Sequence, residues 1–380
     1  MSIIVAAVSL AGAVQTLPQV VVQPVPAAPG VRAGAPPEQQ LLRWVMSPAL
    51  CGGGRDGLTA QPLVRAPDPQ LGVGWDIASQ RHSLTLDFRI DASGRPLSIV
   101  RRAVSENGYV PDSQDVMPAF AASRFRQGGE RTGCTVTFTA SLTPIAAAPL
   151  ADVMAYAVFP TGGRTRAIGE RLRAAGGDCF DPAPAVLLRA FPEFKRLPEQ
   201  PGYPSWSMTG YDLDSAGKPV RVRTLAGTGT PGLDAAARAS VARSRFERGA
   251  RTGCSYPYYK TATRLPPPVA PEEDAVRPAG ATCPRDHVWD RKPVLSYPSA
   301  YSRRSIEGWA MIAYDVAPWG QTGNVRVLQA EPTADFGDAA MQMIRNATFG
   351  PGGSGYVGCV DRVLYRMRKP GLPVPDAAAD

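Results

Sequence analysis

Histidine is almost missing from this sequence: His82 and His287 are the only two in 380 residues. A Cys/His zinc site is therefore poorly supplied, and no metal or cofactor is predicted. No two cysteines stand in a C-x-x-C arrangement, which removes the usual redox and metal-clip spacing. There is no G-x-S-x-G, so His287, although it follows Asp286, lacks the companions that nucleophilic chemistry needs. Basic runs with interleaved aromatics are also absent. The net charge of +8 comes mostly from scattered arginines, which reads as a solvated surface and argues against a nucleic-acid partner. Beyond the N-terminus, nothing is long and apolar enough to read as a membrane span.

What is present is a cysteine frame. Six cysteines fall into three spaced pairs: Cys51 with Cys134, Cys179 with Cys254, and Cys283 with Cys359. The second member of each pair follows a glycine, Gly133, Gly253 or Gly358. The pattern predicts one domain copied three times, each stapled by one disulfide, in an oxidising compartment. Loops of this length would each contribute about 4 kcal/mol in the chain-entropy treatment. Residues Ile3 to Val14 are apolar, and Ala11-Gly12-Ala13 offers a small-x-small cleavage site, as in a signal peptide. No lysine or arginine precedes Arg32, and an uncleaved anchor is the alternative. Residues 17–38 form a Pro-, Ala- and Val-rich leader, and 265–280 a second Pro-rich spacer.

Each unit repeats the same elements. Leu84, Leu86, Phe88 and Ile90 alternate with polar residues, as a strand with one buried face requires. The turn Asp91-Ala92-Ser93-Gly94-Arg95-Pro96 follows, then a strand near Leu97. Met208 to Leu213, the turn Asp214 to Pro219 and the strand from Val220 repeat it, as do Trp309 to Val316, Gly320 and Val325 to Leu328. These are antiparallel hairpins. Leu233, Ala236, Ala237, Ser240 and Val241 share the helical phases of Phe336, Ala339, Ala340, Met343 and Ile344. Val116, Ala119 and Phe120 are a poorer copy, and the three helices end on Phe125, Phe246 and Phe349. A last strand opens at the second cysteine. The fold class predicted is α+β: three tandem small domains, each a short antiparallel sheet in β-β-α-β order with one helix packed on it and one disulfide. The boundaries read as 1–38 for signal or anchor plus leader, 39–145 for a degenerate first repeat, 150–264 for the second, 265–280 for the linker and 281–370 for the third.

The third unit carries Tyr297-Pro298, the strand Glu307-Gly308-Trp309-Ala310-Met311-Ile312-Ala313-Tyr314-Asp315-Val316, then Gly323, Val325, Phe336, Ala339-Ala340 and Phe349. This resembles the C-terminal domain of the TonB energy transducers. The second unit keeps Tyr203-Pro204, Gly217, Leu233, Ala236-Ala237 and Phe246; the first keeps Gly94 and Phe125. The resemblance implies a periplasmic, non-enzymatic domain that docks on an envelope protein, such as an outer-membrane transporter peptide, by strand addition at a sheet edge. The edge expected to do this is the final strand, through Tyr356, Val357, Val360, Arg362, Leu364 and Arg366. Energy transduction fits poorly, since the apolar N-terminus is short and holds no histidine. The 22-residue leader, at about 3.1 Å per residue, also spans only roughly 70 Å.

Three further signals read as structural. Gly227-Thr228-Gly229-Thr230-Pro231-Gly232 has the G-x-G-x-x-G form, but it lies between a hairpin strand and a helix rather than in a parallel βαβ unit. Tyr256, Tyr258 and Tyr259 read as half-buried strand residues. Catalytic, cofactor and metal residues are predicted to be none, and membrane contact only through an uncleaved N-terminus. Two rival functions are a cell-wall or glycan-binding module, with aromatics and arginines on one exposed face, and a hydrolase using His287.

Overall fold

The computed structural model describes residues 39–52, 56–57, 65–73, 82–102, 112–125, 129–159, 163, 165–173 and 176–367. All of these belong to one compact unit that begins at Glu38. The signal-or-anchor segment and leader, and residues 368–370 of the expected third repeat, lie outside the described residues. No described helix is long and apolar enough to cross a membrane.

The first part of the chain holds β1 (Gln39–Met46), β2 (Leu50–Cys51), β3 (Asp56–Gly57), β4 (Gln70–Val73), β5 (Ser83–Ile90), β6 (Pro96–Arg101), the short helix α1 (Val116–Ala121) and β7 (Arg131–Pro144). The strands make one seven-stranded sheet, larger than the short sheet expected. Its size follows from β7, which is 14 residues long. One side of β7 pairs with β5 from Arg131 to Thr139, and the other with β1 from Phe138 to Pro144. β1 earns its place by burying Leu41, Leu42 and Trp44.

The second part holds helices α2 (Leu150–Val158) and α3 (Arg166–Leu172), then β8 (Val186–Leu188), β9 (Ser205–Leu213), β10 (Pro219–Gly227), α4 (Pro231–Arg243), β11 (Arg245–Phe246) and β12 (Arg251–Lys260). The third holds β13 (Trp289–Arg291), α5 (Ser299–Arg303), β14 (Gly308–Val316), β15 (Thr322–Glu331), α6 (Ala334–Arg345), β16 (Thr348–Phe349) and β17 (Tyr356–Tyr365). Their sheets run β10-β9-β12 and β15-β14-β17, both antiparallel. Disulfides join Cys51 to Cys134, Cys179 to Cys254 and Cys283 to Cys359.

The three hairpins share unusual backbone. Glycines 94, 217 and 320 take φ of 81°, 76° and 91° in the turns, where a Cβ is disfavoured. Each turn glycine's carbonyl accepts the N–H of the phenylalanine that ends its helix: Phe125 at 2.8 Å, Phe246 at 3.0 Å and Phe349 at 2.8 Å. Four residues past each turn glycine stands a non-glycine at positive φ: Ser98 at 49°, Arg221 at 50° and Asn324 at 50°. Such residues are uncommon, and only one other, Ser305, occurs among the described residues. In the second and third sheets the bulged residue's side chain donates to an aspartate on the central strand, Arg221 to Asp212 at 2.6 Å and Asn324 to Asp315 at 2.7 Å. Those aspartates also accept the Gly253 and Gly358 N–H groups, and both carboxyls sit below the usual carboxylate range. In the first sheet the polarity is reversed, with Arg89 donating to Ser98 Oγ at 3.0 Å.

Both central strands β9 and β14 are buried almost throughout, because each sheet is covered on two faces. α4 and α6 lie on one face through Leu233, Ala237 and Val241, and Phe336, Ala340 and Ile344. On the other face of β9, Met154 and Val158 of α2 meet Trp206 and Met208. On the other face of β14, Ala270 and Val276 meet Trp309, Met311 and Ala313. The Pro-rich stretch read from composition as a spacer thus lies on the third sheet.

Two buried charge clusters join the first and third parts of the chain, one between their sheets and one between the end of α5 and the start of α1. Glu331, fully buried, accepts from the Ser98 N–H at 2.7 Å, Ser98 Oγ at 2.6 Å and Arg89 Nη2 at 2.8 Å. Arg304, 1% exposed, donates to both oxygens of Asp115, at 2.6 and 2.5 Å, and stands 3.6 Å from Asp68. Tyr203 lies between Arg304 and Arg65, 5.5 and 4.6 Å from its ring centre. Burial pushes the Asp68 carboxyl up to about 6, with Arg304 opposing the shift and Asp115 adding to it. The two Tyr-Pro pairs are not counterparts. Tyr211 and Tyr314 both face the second cysteine of their unit, and counting back eight residues from each gives Tyr203 and Ile306. Tyr297 instead precedes α5 and donates to the Ile306 carbonyl at 2.6 Å.

Candidate functional site

Antiparallel pairing leaves every second N–H and C=O of a terminal strand facing outward, a ready template for another extended chain. β17 is such a strand, bonded to β14 on one side. The residues predicted to form the docking edge are therefore together on one strand and its C-terminal end. They do not face open solvent alone. Val357, 59% exposed, exchanges bonds with Thr282: its N–H donates to Thr282 Oγ1 and its carbonyl accepts the Thr282 N–H, both at 2.9 Å. The Arg362 N–H donates to Glu273 Oε1 at 3.1 Å. Its guanidinium donates to the Pro271 carbonyl at 3.2 Å and lies 3.3 Å from Glu272. Val360 is buried, Leu364 and Tyr356 are half-buried, and Arg366 is exposed.

Beyond Arg362 the edge opens into a cleft of about 550 Å³ lined by Arg264, Glu307, Trp309, Arg362, Leu364 and Arg366. Trp309 Nε1 donates to the Pro268 carbonyl at 2.9 Å. Glu307, 3% exposed, accepts the Met367 N–H at 2.8 Å and sits 3.6 Å from Arg264. Glu272 also lines the cleft, so two carboxylates stand against three arginines and the wall carries a net excess of one positive charge.

His287 has partners that sequence reading did not find. Its Nε2 lies 3.3 Å from Asp361 Oδ1 and 3.2 Å from the Tyr314 hydroxyl, while Tyr314 donates to Asp361 Oδ2 at 2.7 Å. The hydrogen bond with Asp361 raises the His287 pKa, against a smaller opposing effect of burial. Burial, then Asp361, pushes the Tyr314 phenol well above its ordinary range. Trp289 and Phe349 pack on the imidazole, at 5.4 and 5.0 Å between ring centres. The group pins the segment after Cys283 to β14 and β17. Asp286, next in sequence, is exposed. His82 is buried and joins β7 through its carbonyl, which accepts the Ala140 N–H at 2.9 Å.

The glycine-rich stretch offers no dinucleotide cradle. Gly227 ends β10, which runs antiparallel to β9, so no parallel βαβ crossover precedes α4. Tyr258 is buried, Tyr256 half-buried under Arg189 at 3.8 Å, and Tyr259 is 51% exposed. Among the described residues no group of three or more His, Cys, Asp or Glu is placed to hold a metal ion.

A search of curated proteins finds no match to the chain. Residues 293–359 match the family model described as Gram-negative bacterial TonB protein C-terminal. The match runs from just before α5 to Cys359, so this stretch, which carries β14, β15 and α6 and leads into β17, is similar to the C-terminal domain of TonB proteins.

Proposed function

We propose that this is a non-enzymatic protein of the periplasm that binds an extended segment of a cell-envelope protein by strand addition to the outer edge of β17. A peptide of an outer-membrane transporter is the partner class that the TonB-like stretch favours, which would link the protein to transport across that membrane. The observation that carries the reading is the TonB C-terminal match over residues 293–359, on a sheet whose terminal strand is β17. Three disulfides support an oxidising compartment, and residues 1–38 fit export by a signal peptide or a short anchor.

The wider organisation we infer is three tandem copies, 39–145, 150–264 and 281–370, joined by 265–280. The recurring positive-φ residue four places after each turn glycine supports it, since sequence drift alone does not repeat a strained backbone three times. So does the helix-end phenylalanine tied to each turn glycine. On this reading the first copy has lost the docking pattern and kept the frame.

The test is a peptide array of extended periplasmic segments from outer-membrane transporters, probed with the full disulfide-bonded chain and with Arg362→Pro. Proline removes the outward N–H and resists a further strand. Binding of one segment class by the native chain, lost in Arg362→Pro, is the expected result. Equal binding by both proteins would remove β17 as the edge.

A further inference from the structure

The last strands of the three sheets can be compared residue by residue. Phe88, Tyr211 and Tyr314 each face the second cysteine of their unit. Three residues earlier stand Thr85, Met208 and Met311, faced by Thr137, Pro257 and Arg362. At this one position all three outer edges are closed, by three different means. The Thr137 N–H donates to Ser47 Oγ at 3.1 Å, and its carbonyl accepts the Ser47 N–H at 2.8 Å, where β1 continues the sheet. Pro257 has no N–H to offer. The Arg362 N–H is met by Glu273.

The first two closures are built into a sheet and a pyrrolidine ring. The third rests on a segment whose residues 272–275 are exposed. Its C-terminal end is fixed to β17 by the Cys283–Cys359 disulfide and the two Thr282–Val357 bonds. Ahead of that, the Pro268 and Pro271 carbonyls accept from Trp309 Nε1 and the Arg362 guanidinium, and side chains give two more footholds on the third sheet. One is apolar, Ala270 and Val276 against Trp309, Val360 and Leu364. The other is ionic, Glu272 and Glu273 against Arg362. It is also folded back on itself, with the Arg277 guanidinium donating to the Cys283 carbonyl and Asp274 3.2 Å from Arg285. It is proline-rich and acidic, with a single 3-10 turn at Glu273–Ala275, and it lies on an edge that carries Arg362 and, just past the strand, Arg366.

We propose that residues 266–278, tethered beyond them by the Cys283–Cys359 disulfide, are a displaceable guard on the β17 edge, standing in for a partner of the same chemistry: an acidic peptide with a small apolar residue for the Trp309 face. The proposal rests on the reading above that β17 takes the partner. Because the ionic foothold is exposed, its hold weakens with salt. The partner displaces the guard by presenting carboxylates to Arg362 in place of Glu272 and Glu273.

The probe is a fluorescent synthetic peptide of this chain's own residues 266–278, added to the full native chain and to the full chain carrying Glu272→Lys with Glu273→Lys. Both glutamates are exposed, so the variant keeps its fold. The peptide is expected to bind the double variant about ten-fold more tightly than the native chain, equivalent to about 1.4 kcal/mol. Amide exchange at Arg362 should be faster in the double variant. Equal affinities, no binding to either protein, or unchanged exchange at Arg362 would overturn the guard. The docking reading fails separately. If an envelope peptide binds both proteins alike, docking stands and the guard falls. If the chain's own peptide binds the double variant and no envelope peptide does, the guard stands and docking falls.

Discussion

Replacing Arg304 by methionine is expected to destabilise the protein far more than any surface arginine would. The guanidinium is 1% exposed and bonded to both oxygens of Asp115, itself 5% exposed, with Asp68 3.6 Å away. Methionine fills most of the volume but leaves two carboxylates together without the cation bonded to them. Asp115 then keeps the Asp68 N–H, at 2.7 Å, as a donor. Removing one partner of a buried pair costs about 3–5 kcal/mol. At a urea slope of about 3 kcal/mol/M, the unfolding midpoint would fall by about 1 M or more. The sign with pH follows from the charge left behind. Stranded carboxyls have folded pKa values raised above their unfolded ones, so stability is greatest below the unfolded value and is lost as pH rises through the folded one. The penalty should therefore be larger at pH 7 than near pH 4.5. The assay is urea unfolding by tryptophan fluorescence at both pH values, for the native chain, Arg304→Met, Asp115→Leu and the double variant. The double variant should recover much of the loss, since an apolar pair can replace a buried ionic one. A loss under about 1 kcal/mol for Arg304→Met, or one independent of pH, would refute the claim that this pair locks the start of α1 to the end of α5.

Gly320→Ala should cost at least about 2 kcal/mol, from the left-handed backbone and the collision of its Cβ with the Phe349 carbonyl. Gly323→Ala, three residues on and with nothing within 4 Å of its Cβ, should move stability by less than about 0.5 kcal/mol in chemical unfolding. His287→Gln should flatten the pH dependence of the melting temperature. Its folded pKa is raised through Asp361, so its contribution is fully present below the unfolded value near 6.5 and lost as pH rises through the folded value. Parallel melting curves for the two proteins from acid to alkaline pH would show that His287 does not titrate in the fold.

The hairpins were legible because they are local. In the first hairpin a period-two strand, an Asp-x-x-Gly turn and a second strand carry their own instructions; Met208 to Leu213 and Trp309 to Val316 were legible by likeness to it, and like Leu84 to Ile90 they lie in strands. The helical stripes of α4 and α6 were legible for the same reason. Helices α2 and α3 were missed because a search guided by repetition passes over what only one unit contains. Their signal was there: Val153, Met154, Ala157 and Val158 recur at helical spacing. The seating of residues 266–283 was hidden by composition, since a proline-rich stretch reads as a spacer whether or not a sheet lies beneath it. One clue was available in β14, whose residues are apolar on both faces and so require two covers. Arg304, Asp115 and Glu331 carried no signal, because a charged residue buried by a partner more than 180 positions away looks like any surface residue in sequence. Tyr203-Pro204 misled, since a two-residue match does not fix a position in space.

The clasp formed by Arg304 and Glu331 has a corollary for anyone who would cut this chain into pieces. A fragment holding the TonB-like stretch alone would present a guanidinium and a carboxylate to water across a surface shaped for something else. Whatever it bound, or clumped with, would report that wound as much as the intended groove. The length from Glu38 onward is the object whose behaviour speaks for the native protein.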